Sequence, residues 1–269
     1  MTSSRCTRAS VTLVVLCAAA CGPSVEANAG PLVRSFRLGR APCVSVGNIS
    51  GRVTVSGTAR ETVVLHAAKL GGTPGEQAAH RIEIERRGDR LEIRTRCPQL
   101  FRGCGRVKVD YRLEVPAGTD LHCHTVSASV RVRGVRGALR LQTVSGAVDA
   151  EGSGPARLRA RSVSGAVRVR GAAGTLKLSS VSGRIRVELR SPPQRLDLDS
   201  VSGRVGLLLA RGVGARLRLS TLSGSIESAL PMETLERRGR RKLRVVVGDG
   251  AVPVRVRTVS GSVKLAALD

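Results

Sequence analysis

The sequence predicts an all-β chain wound into a β-solenoid with coils of about 18–21 residues, and three observations predict it. The tetrapeptide Ser/Thr-Val/Leu-Ser-Gly recurs with starts at Thr143, Ser162, Ser180, Ser200, Thr221 and Thr258, after a degenerate copy Thr125-Val126-Ser127-Ala128. Its third-position serines, Ser127, Ser145, Ser164, Ser182, Ser202 and Ser223, lie 18, 19, 18, 20 and 21 residues apart, and Ser260 follows 37 later, close to two periods. Around each copy the apolar residues alternate, as in Leu139, Leu141, Val144, Val148 and again in Leu176, Leu178, Val181, Ile185, Val187. A fixed period of this length means one unit stacked on copies of itself, and a period of two means strand. A β-sandwich or prism built from the same strands is the alternative.

Each unit is expected to run strand, corner, strand. The corners fall at Ser145-Gly146, Ser164-Gly165, Ser182-Gly183, Ser202-Gly203, Ser223-Gly224 and Ser260-Gly261, where glycine offers a positive φ to turn the chain. A second break comes at Gly134 and Gly137, Gly152 to Pro155, Gly171 and Gly174, Pro192-Pro193, and Gly212 and Gly214. Parallel stacking in register places equivalent residues on neighbouring strands, so like charges should be avoided there. The outward positions after the corner read Arg133, Glu151, Arg170, Glu188 and Arg131, Asp149, Arg168, Arg186, while the other strand gives Arg140, Arg159, Lys177, Asp197, Arg218. Two of these three ladders are partly self-neutralising and one is mostly basic, which favours stacked coils over a meander.

The repeat begins earlier, because Val44, Val46, Asn48, Ile49, Ser50, Gly51, Val53 and Val55 share its spacing. Strand-like runs follow at 63–68, at 81–86 and 90–95 across a hairpin turn Gly88-Asp89, and at 106–115. The whole amounts to about eight coils in one domain over 40–269, with a segment over 228–252 replacing one coil. Arg5 and Arg8 precede the apolar run 11–20, which is too short to span a bilayer and has the form of an export signal. Two processing sites compete. Ala18-Ala19-Ala20 before Cys21 suits a lipoprotein signal, giving a lipidated Cys21 and a tether over 21–39, whereas Ala27-Asn28-Ala29 would release a soluble form. The first is preferred, because a Gly-Pro-Ser tether suits an anchored protein.

Four cysteines remain beyond that point, and an even count in an oxidising compartment points to two disulfides. Cys97 and Cys104 flank a short loop and are paired on that ground, which leaves Cys43 with Cys123. A zinc site using His122 and His124 is the rival reading, weakened because Cys123 falls on the inward face and carboxylate partners are lacking. No cofactor site is expected.

Lysine and arginine total 45 against 20 acids, and without the first 20 residues, which hold two arginines and no acids, the balance is 43 against 20. That bias favours anionic partners such as lipid headgroups or acidic polysaccharide, although arginine-rich composition alone produces a similar excess. The compact exception is Arg237, Arg238, Arg240, Arg241 and Lys242, inside the segment that departs from the repeat. Sequence-specific nucleic-acid binding is disfavoured: with no Trp, one Tyr and two Phe, bases have almost nothing to stack on. Asp197 and Asp199 form the one close acidic pair on a strand, and their expected neighbours Lys177 and Arg218 make them ladder residues rather than a catalytic dyad. No nucleophile elbow or phosphate-cradling loop occurs, so no enzyme is expected.

The chain resembles the bacterial putative-adhesin family with β-strand repeats, a domain of unknown function. The carrying residues are Val46-Gly47-Asn48-Ile49-Ser50-Gly51-Arg52-Val53-Thr54-Val55-Ser56-Gly57, Leu113-Glu114-Val115-Pro116, the Val-Ser-Gly series, and Gly248-Asp249-Gly250 before Thr258-Val259-Ser260-Gly261. The resemblance implies a β-solenoid surface or envelope domain, some members being encoded beside membrane-stress sensing systems, and it carries over no catalytic residue. The expected function is an envelope scaffold or adhesin that binds surface molecules and is held to the membrane by its lipid, with self-stacking of coils open. A binding module for anionic lipid or polysaccharide centred on Arg237 to Lys242 is the alternative.

Overall fold

The computed structural model describes residues 31–97, 106–152, 154, 156–171, 174–230, 239 and 241–268, together with the backbone of 24–26 and 233–238. The expected export signal, Cys21 and Cys104 lie outside the described residues. Two sheets of 13 and 11 strands share one continuous apolar core. Each coil gives one strand to the first sheet, turns a corner, and gives the next strand to the second. The coils are Cys43–Asn48 with Arg52–Thr58, Asp120–Thr125 with Ser129–Arg133, and Leu139–Thr143 with Val148–Glu151. Next come Arg157–Ser162 with Val167–Arg170, Thr175–Ser180 with Ile185–Leu189, and Arg195–Ser200 with Val205–Ala210. The last two are Ala215–Thr221 with Ile226–Ser228 and Val252–Thr258 with Val263–Leu268.

Neighbouring coils pair in parallel and in register, with Leu141 opposite Ala160, Leu178 opposite Leu198, and Val169 opposite Val187. Alternation does the rest, since every second residue points into the core, as in the alternating burial of Arg195–Ser200 and Val205–Ala210. The two charge ladders after the corner fall as expected. Arg131, Asp149, Arg168 and Arg186 stack in one row and Arg133, Glu151, Arg170 and Glu188 in the next. Arg170 joins Asp149 at 3.2 Å and Glu151 at 3.7 Å, and the Asp149 hydrogen bond is the main cause that raises its pKa.

Three expectations are corrected. The coils do not stack in chain order: Val252–Thr258 lies between Arg195–Ser200 and Ala215–Thr221, and Val263–Leu268 lies between Val205–Ala210 and Ile226–Ser228. The last coil is therefore covered on both edges, which satisfies backbone groups that a terminal strand would leave open. At the other end the first coil sits likewise between the strands Arg90–Arg96 and Lys108–Pro116 and the coil starting at Asp120. The segment over 228–252 then replaces no coil. It forms an antiparallel hairpin, Glu233–Arg238 with Lys242–Val247, that extends the first sheet past Ala215–Thr221 and buries Leu243 and Val245.

The described part of the expected tether over 21–39 is not free either. Ser24–Glu26 pairs with Arg81–Arg87, Leu32–Arg37 pairs antiparallel with Thr62–Leu70, and Leu38 is fully buried. Leu32, Phe36 and Leu38 supply the apolar cover that this end of the core needs. The Arg81–Arg87 and Arg90–Arg96 hairpin forms as expected, with Gly88 at φ +57° in its turn. A six-residue helix, Pro74–Ala79, links it to the preceding strand, its Thr73 cap and Glu76 completing a capping box.

Candidate functional site

The corner is built by a division of labour among the four motif positions. The first side chain points inward, and in five of the six full motifs its hydroxyl accepts a hydrogen bond from the backbone N–H of the motif glycine: Thr143 from Gly146 at 3.0 Å, Ser180 from Gly183 at 2.9 Å, Ser200 from Gly203 at 3.1 Å, Thr221 from Gly224 at 2.9 Å, Thr258 from Gly261 at 3.0 Å; the buried Ser162 hydroxyl makes no such bond. A short polar side chain closing on a backbone N–H three residues on is what holds the bend. The second position faces solvent. Val126, Val144, Val163, Val181, Val201, Val259 and Leu222 form an exposed apolar row, so Val144 and Val181 do not join the inward alternation expected of them.

The glycines also act differently from expectation. None of Gly146, Gly165, Gly183, Gly203, Gly224 and Gly261 has a positive φ; that conformation belongs to the opposite corners, at Gly134, Gly152, Gly171 and Gly212. The motif glycines are required by close approach. A methyl group on Gly165 would overlap the carbonyl oxygen of Gly146, one on Gly183 that of Gly165, one on Gly203 that of Gly183, and one on Gly261 that of Gly203. Each corner rests directly on the backbone of the coil before it.

The third-position serines form the expected column, in the spatial order Ser127, Ser145, Ser164, Ser182, Ser202, Ser260, Ser223. Each hydroxyl from Ser145 onward donates a long hydrogen bond to the second-position carbonyl of its neighbour: Ser182 to Val163 at 3.3 Å, Ser202 to Val181 at 3.3 Å, Ser260 to Val201 at 3.4 Å, Ser223 to Val259 at 3.4 Å. Bonds of that length leave the oxygen lone pairs open to another donor.

Beside this column runs an open groove of about 1080 Å³, lined by Ser164, Ser182, Ser202, Ser260 and Ser223, by Arg168, Arg184 and Arg204, and by Gly239 and Arg241 of the C-terminal hairpin. No carboxylate lines it among the described residues. The groove thus presents hydroxyls at the coil spacing of about 4.8 Å with guanidinium groups along one side, a surface suited to an extended anionic chain. Of the basic cluster in the sequence, Arg241 reaches this groove, Lys242 is exposed next to it, and Arg237 and Arg238 stand opposite Leu243 and Lys242 in the hairpin register. Arg240 lies outside the described residues. Arg184 and Arg204 directly follow motif glycines. Their position in the motif was visible, but only the stacking shows that they share one groove.

The cysteine expectation is corrected in part. Cys43 and Cys123 are free thiols. In the register Cys43 stands opposite Asp120 and Cys123 opposite Val46, three residues along, and Cys123 faces the core while Cys43 is on the outward alternation. Burial holds the Cys123 thiol up at about 12. Cys97 is disulfide-bonded, and its expected partner lies outside the described residues. His122 and His124 point outward from the strand Asp120–Thr125, opposite in direction to Cys123, and no group of three or more metal-ligating side chains occurs among the described residues. Asp197 binds Arg195 of its own strand at 2.9 Å, which raises the Arg195 pKa, and its ladder neighbours are Lys177 and Arg255 rather than Lys177 and Arg218. No helix among the described residues is long and apolar enough to cross a membrane.

Fold and corner chemistry together define a parallel β-repeat protein of the solenoid type. The chain belongs to the Toastrack DUF4097 family, whose pattern it matches over residues 100–266. Among solved structures it is similar to a putative cell adhesion protein from Clostridium sporogenes, at 9% identity and TM-score 0.38 over 92% of this chain and 100% of that one. It is similar to a putative adhesin from Bacteroides fragilis at 11% identity and TM-score 0.43, covering 89% and 98%. A putative lipid binding protein from Parabacteroides distasonis is similar at 12% identity and TM-score 0.36, covering 90% and 98%. A comparison with curated proteins found no match.

Proposed function

We propose that the protein is a non-enzymatic, adhesin-like scaffold of the cell envelope, lipid-anchored at Cys21, that engages surface molecules along its corner groove. The observation that carries this reading is the groove itself: serine hydroxyls and Arg168, Arg184, Arg204 and Arg241 on one continuous edge, with no carboxylate among its described lining. Three of the carboxylates on the neighbouring outer faces are already engaged, Asp149 with Arg170, Glu188 with Arg186 and Asp197 with Arg195, which supports a surface made for display and not for turnover. A second reading, binding of anionic lipid or polysaccharide, is favoured by the approach of the hairpin turn at Gly239 and Arg241 to the groove arginines.

Two measurements test these readings. The intact mass of the protein from membrane and soluble fractions, with and without Cys21→Ser, is expected to show a diacylglycerol-modified Cys21 in the membrane fraction; a soluble form beginning at Gly30 would refute anchoring. Binding of the Cys21→Ser protein to acidic polysaccharide should weaken steeply with salt and on the pair Arg184→Ser, Arg204→Ser. Binding indifferent to both would remove the groove from the account.

A further inference from the structure

The out-of-order insertion of the last coil creates a second feature, on the outer face of the first sheet. Acids interrupt the rows of the second sheet at Asp149, Glu151 and Glu188, whereas the first sheet also carries the basic run Arg140, Arg159 and Lys177. Here Arg255 stands opposite Arg218, and Arg218 opposite Arg244, so three arginines occupy one row across three hydrogen-bonded strands. The next row along places Arg257 opposite Ser220 and Ser220 opposite Lys242, and Arg216 lies two residues before Arg218 on the same face. Had the coils stacked in chain order, Asp197 would have faced Arg218; instead it meets Arg255 and is held by Arg195.

Among the described residues Arg216, Arg218, Arg255, Arg257 and Lys242 make no ion pair. Their side chains frame two adjoining hollows of about 440 Å³ and 240 Å³; Arg218 and Arg255 line both, and Asp197, paired with Arg195, also lines the smaller, so the larger is the one free of carboxylates among its described lining. Arg255 and Arg257 face Asp197 and Asp199 on one side, but on the other Arg255 stands directly opposite Arg218, and like charges so placed on paired strands destabilise a sheet unless an anion sits between them.

We propose that this face is a binding site for a phosphomonoester group, gripped between Arg218 and Arg255 and flanked by Arg257 and Lys242. A carboxylate carries one charge and would neutralise one guanidinium. A phosphomonoester carries close to two near neutral pH and offers three acceptor oxygens, enough for two planar guanidinium forks at adjacent ladder positions. The inference rests on the anionic-partner reading but uses other residues than the corner groove, so the two fail separately.

The test uses the full Cys21→Ser protein and vesicles of phosphatidylcholine carrying either phosphatidic acid, a monoester, or phosphatidylglycerol, a diester, matched for total charge. Tighter binding to the monoester vesicles, on the order of tenfold, is expected, lost in Arg218→Ser with Arg255→Ser and kept in Arg184→Ser with Arg204→Ser. The preference should fade as pH falls through about 6, where the second phosphate proton returns. Inorganic phosphate in the buffer separates the sources: competition by it places recognition on the phosphate group alone, and its failure to compete places it on the lipid headgroup. A second readout does not depend on vesicles. At low salt without phosphate, Arg218→Ser should melt above the parent protein, because a repulsion is gone, and where phosphate competes it should also raise the melting temperature of the parent and not of the variant. Equal binding to both vesicles, or a monoester preference that survives the Arg218 and Arg255 substitutions, would overturn the proposal.

Discussion

At the scale of single residues, the corner motif separates two uses of glycine that a sequence cannot tell apart. Gly212 has φ +84° and open space where a Cβ would lie, so alanine there only adopts a left-handed conformation at a cost of about 1 kcal/mol. Gly183 has an ordinary φ but no room, because a methyl group would overlap the Gly165 carbonyl and lie 2.8 Å from the Ser180 hydroxyl. Backbone cannot yield as a flexible side chain can, so Gly183→Ala should cost more, about 1–3 kcal/mol by overpacking and the loss of the Ser180 bond besides. Denaturant melts of the two variants check the order, and equal losses would mean that the corners can spread. The free thiols give a second residue-scale expectation. Iodoacetamide should alkylate Cys43 in the folded protein and leave Cys123 untouched, since Cys123 is buried and its thiol is raised to about 12 from an ordinary 9.0. A folded-state value raised in this way means stability that is intact below pH 9.0 and lost as pH climbs toward 12. Peptide mapping after alkylation reads both sites, and a labelled Cys123 without unfolding would contradict the buried position.

At the scale of elements, the alternation of apolar residues and the near-constant spacing of Ser145, Ser164, Ser182 and Ser202 made the strands, their parallel register and the serine column legible before any coordinates. Those features depend on a period alone, and a period is written directly in the chain. What stayed hidden depends on contacts between units. Val144 looks like another core residue because the corner breaks the two-residue alternation, and only the inward turn of Thr143 to cap Gly146 moves Val144 outside. The Cys43 and Cys123 pairing failed for a related reason: counting cysteines takes no account of face, and the register puts the two on opposite faces three residues apart. The tether over 21–39 failed because its few apolar residues, Leu32, Phe36 and Leu38, show no repeat, although they cover the end of the core. The groove was half legible. Its basic hairpin stood out by charge density, while Arg168, Arg184 and Arg204 became part of it only through stacking.

At the scale of the whole molecule, the order of the coils decides how the protein holds together. The gap of 37 residues between Ser223 and Ser260 was the sole trace of that order in the sequence, and it fits a skipped coil as well as an inserted one. In a solenoid stacked in chain order, removing the last coil shortens the stack by one unit and leaves the rest paired, since each unit contacts only its neighbours. Here the same deletion takes out an inner unit. The strand Val252–Thr258 bonds to Arg195–Ser200 on one side and Ala215–Thr221 on the other, and Val263–Leu268 joins Val205–Ala210 to Ile226–Ser228. The core residues Val254, Val256, Val263 and Leu265, all buried, leave with it. A chain truncated after Gly250 should therefore expose the edges of the coils starting at Arg195 and Ala215 at once, and detach the hairpin Glu233–Arg238 with Lys242–Val247 from the stack. Hydrogen exchange followed by mass spectrometry reads this directly: protection should fall over 195–247 and persist over 120–189. If only 215–247 lost protection, the coil at Arg195 would be stable with an open edge. If neither lost it, the terminal coil would be an end cap and the inserted order would be wrong.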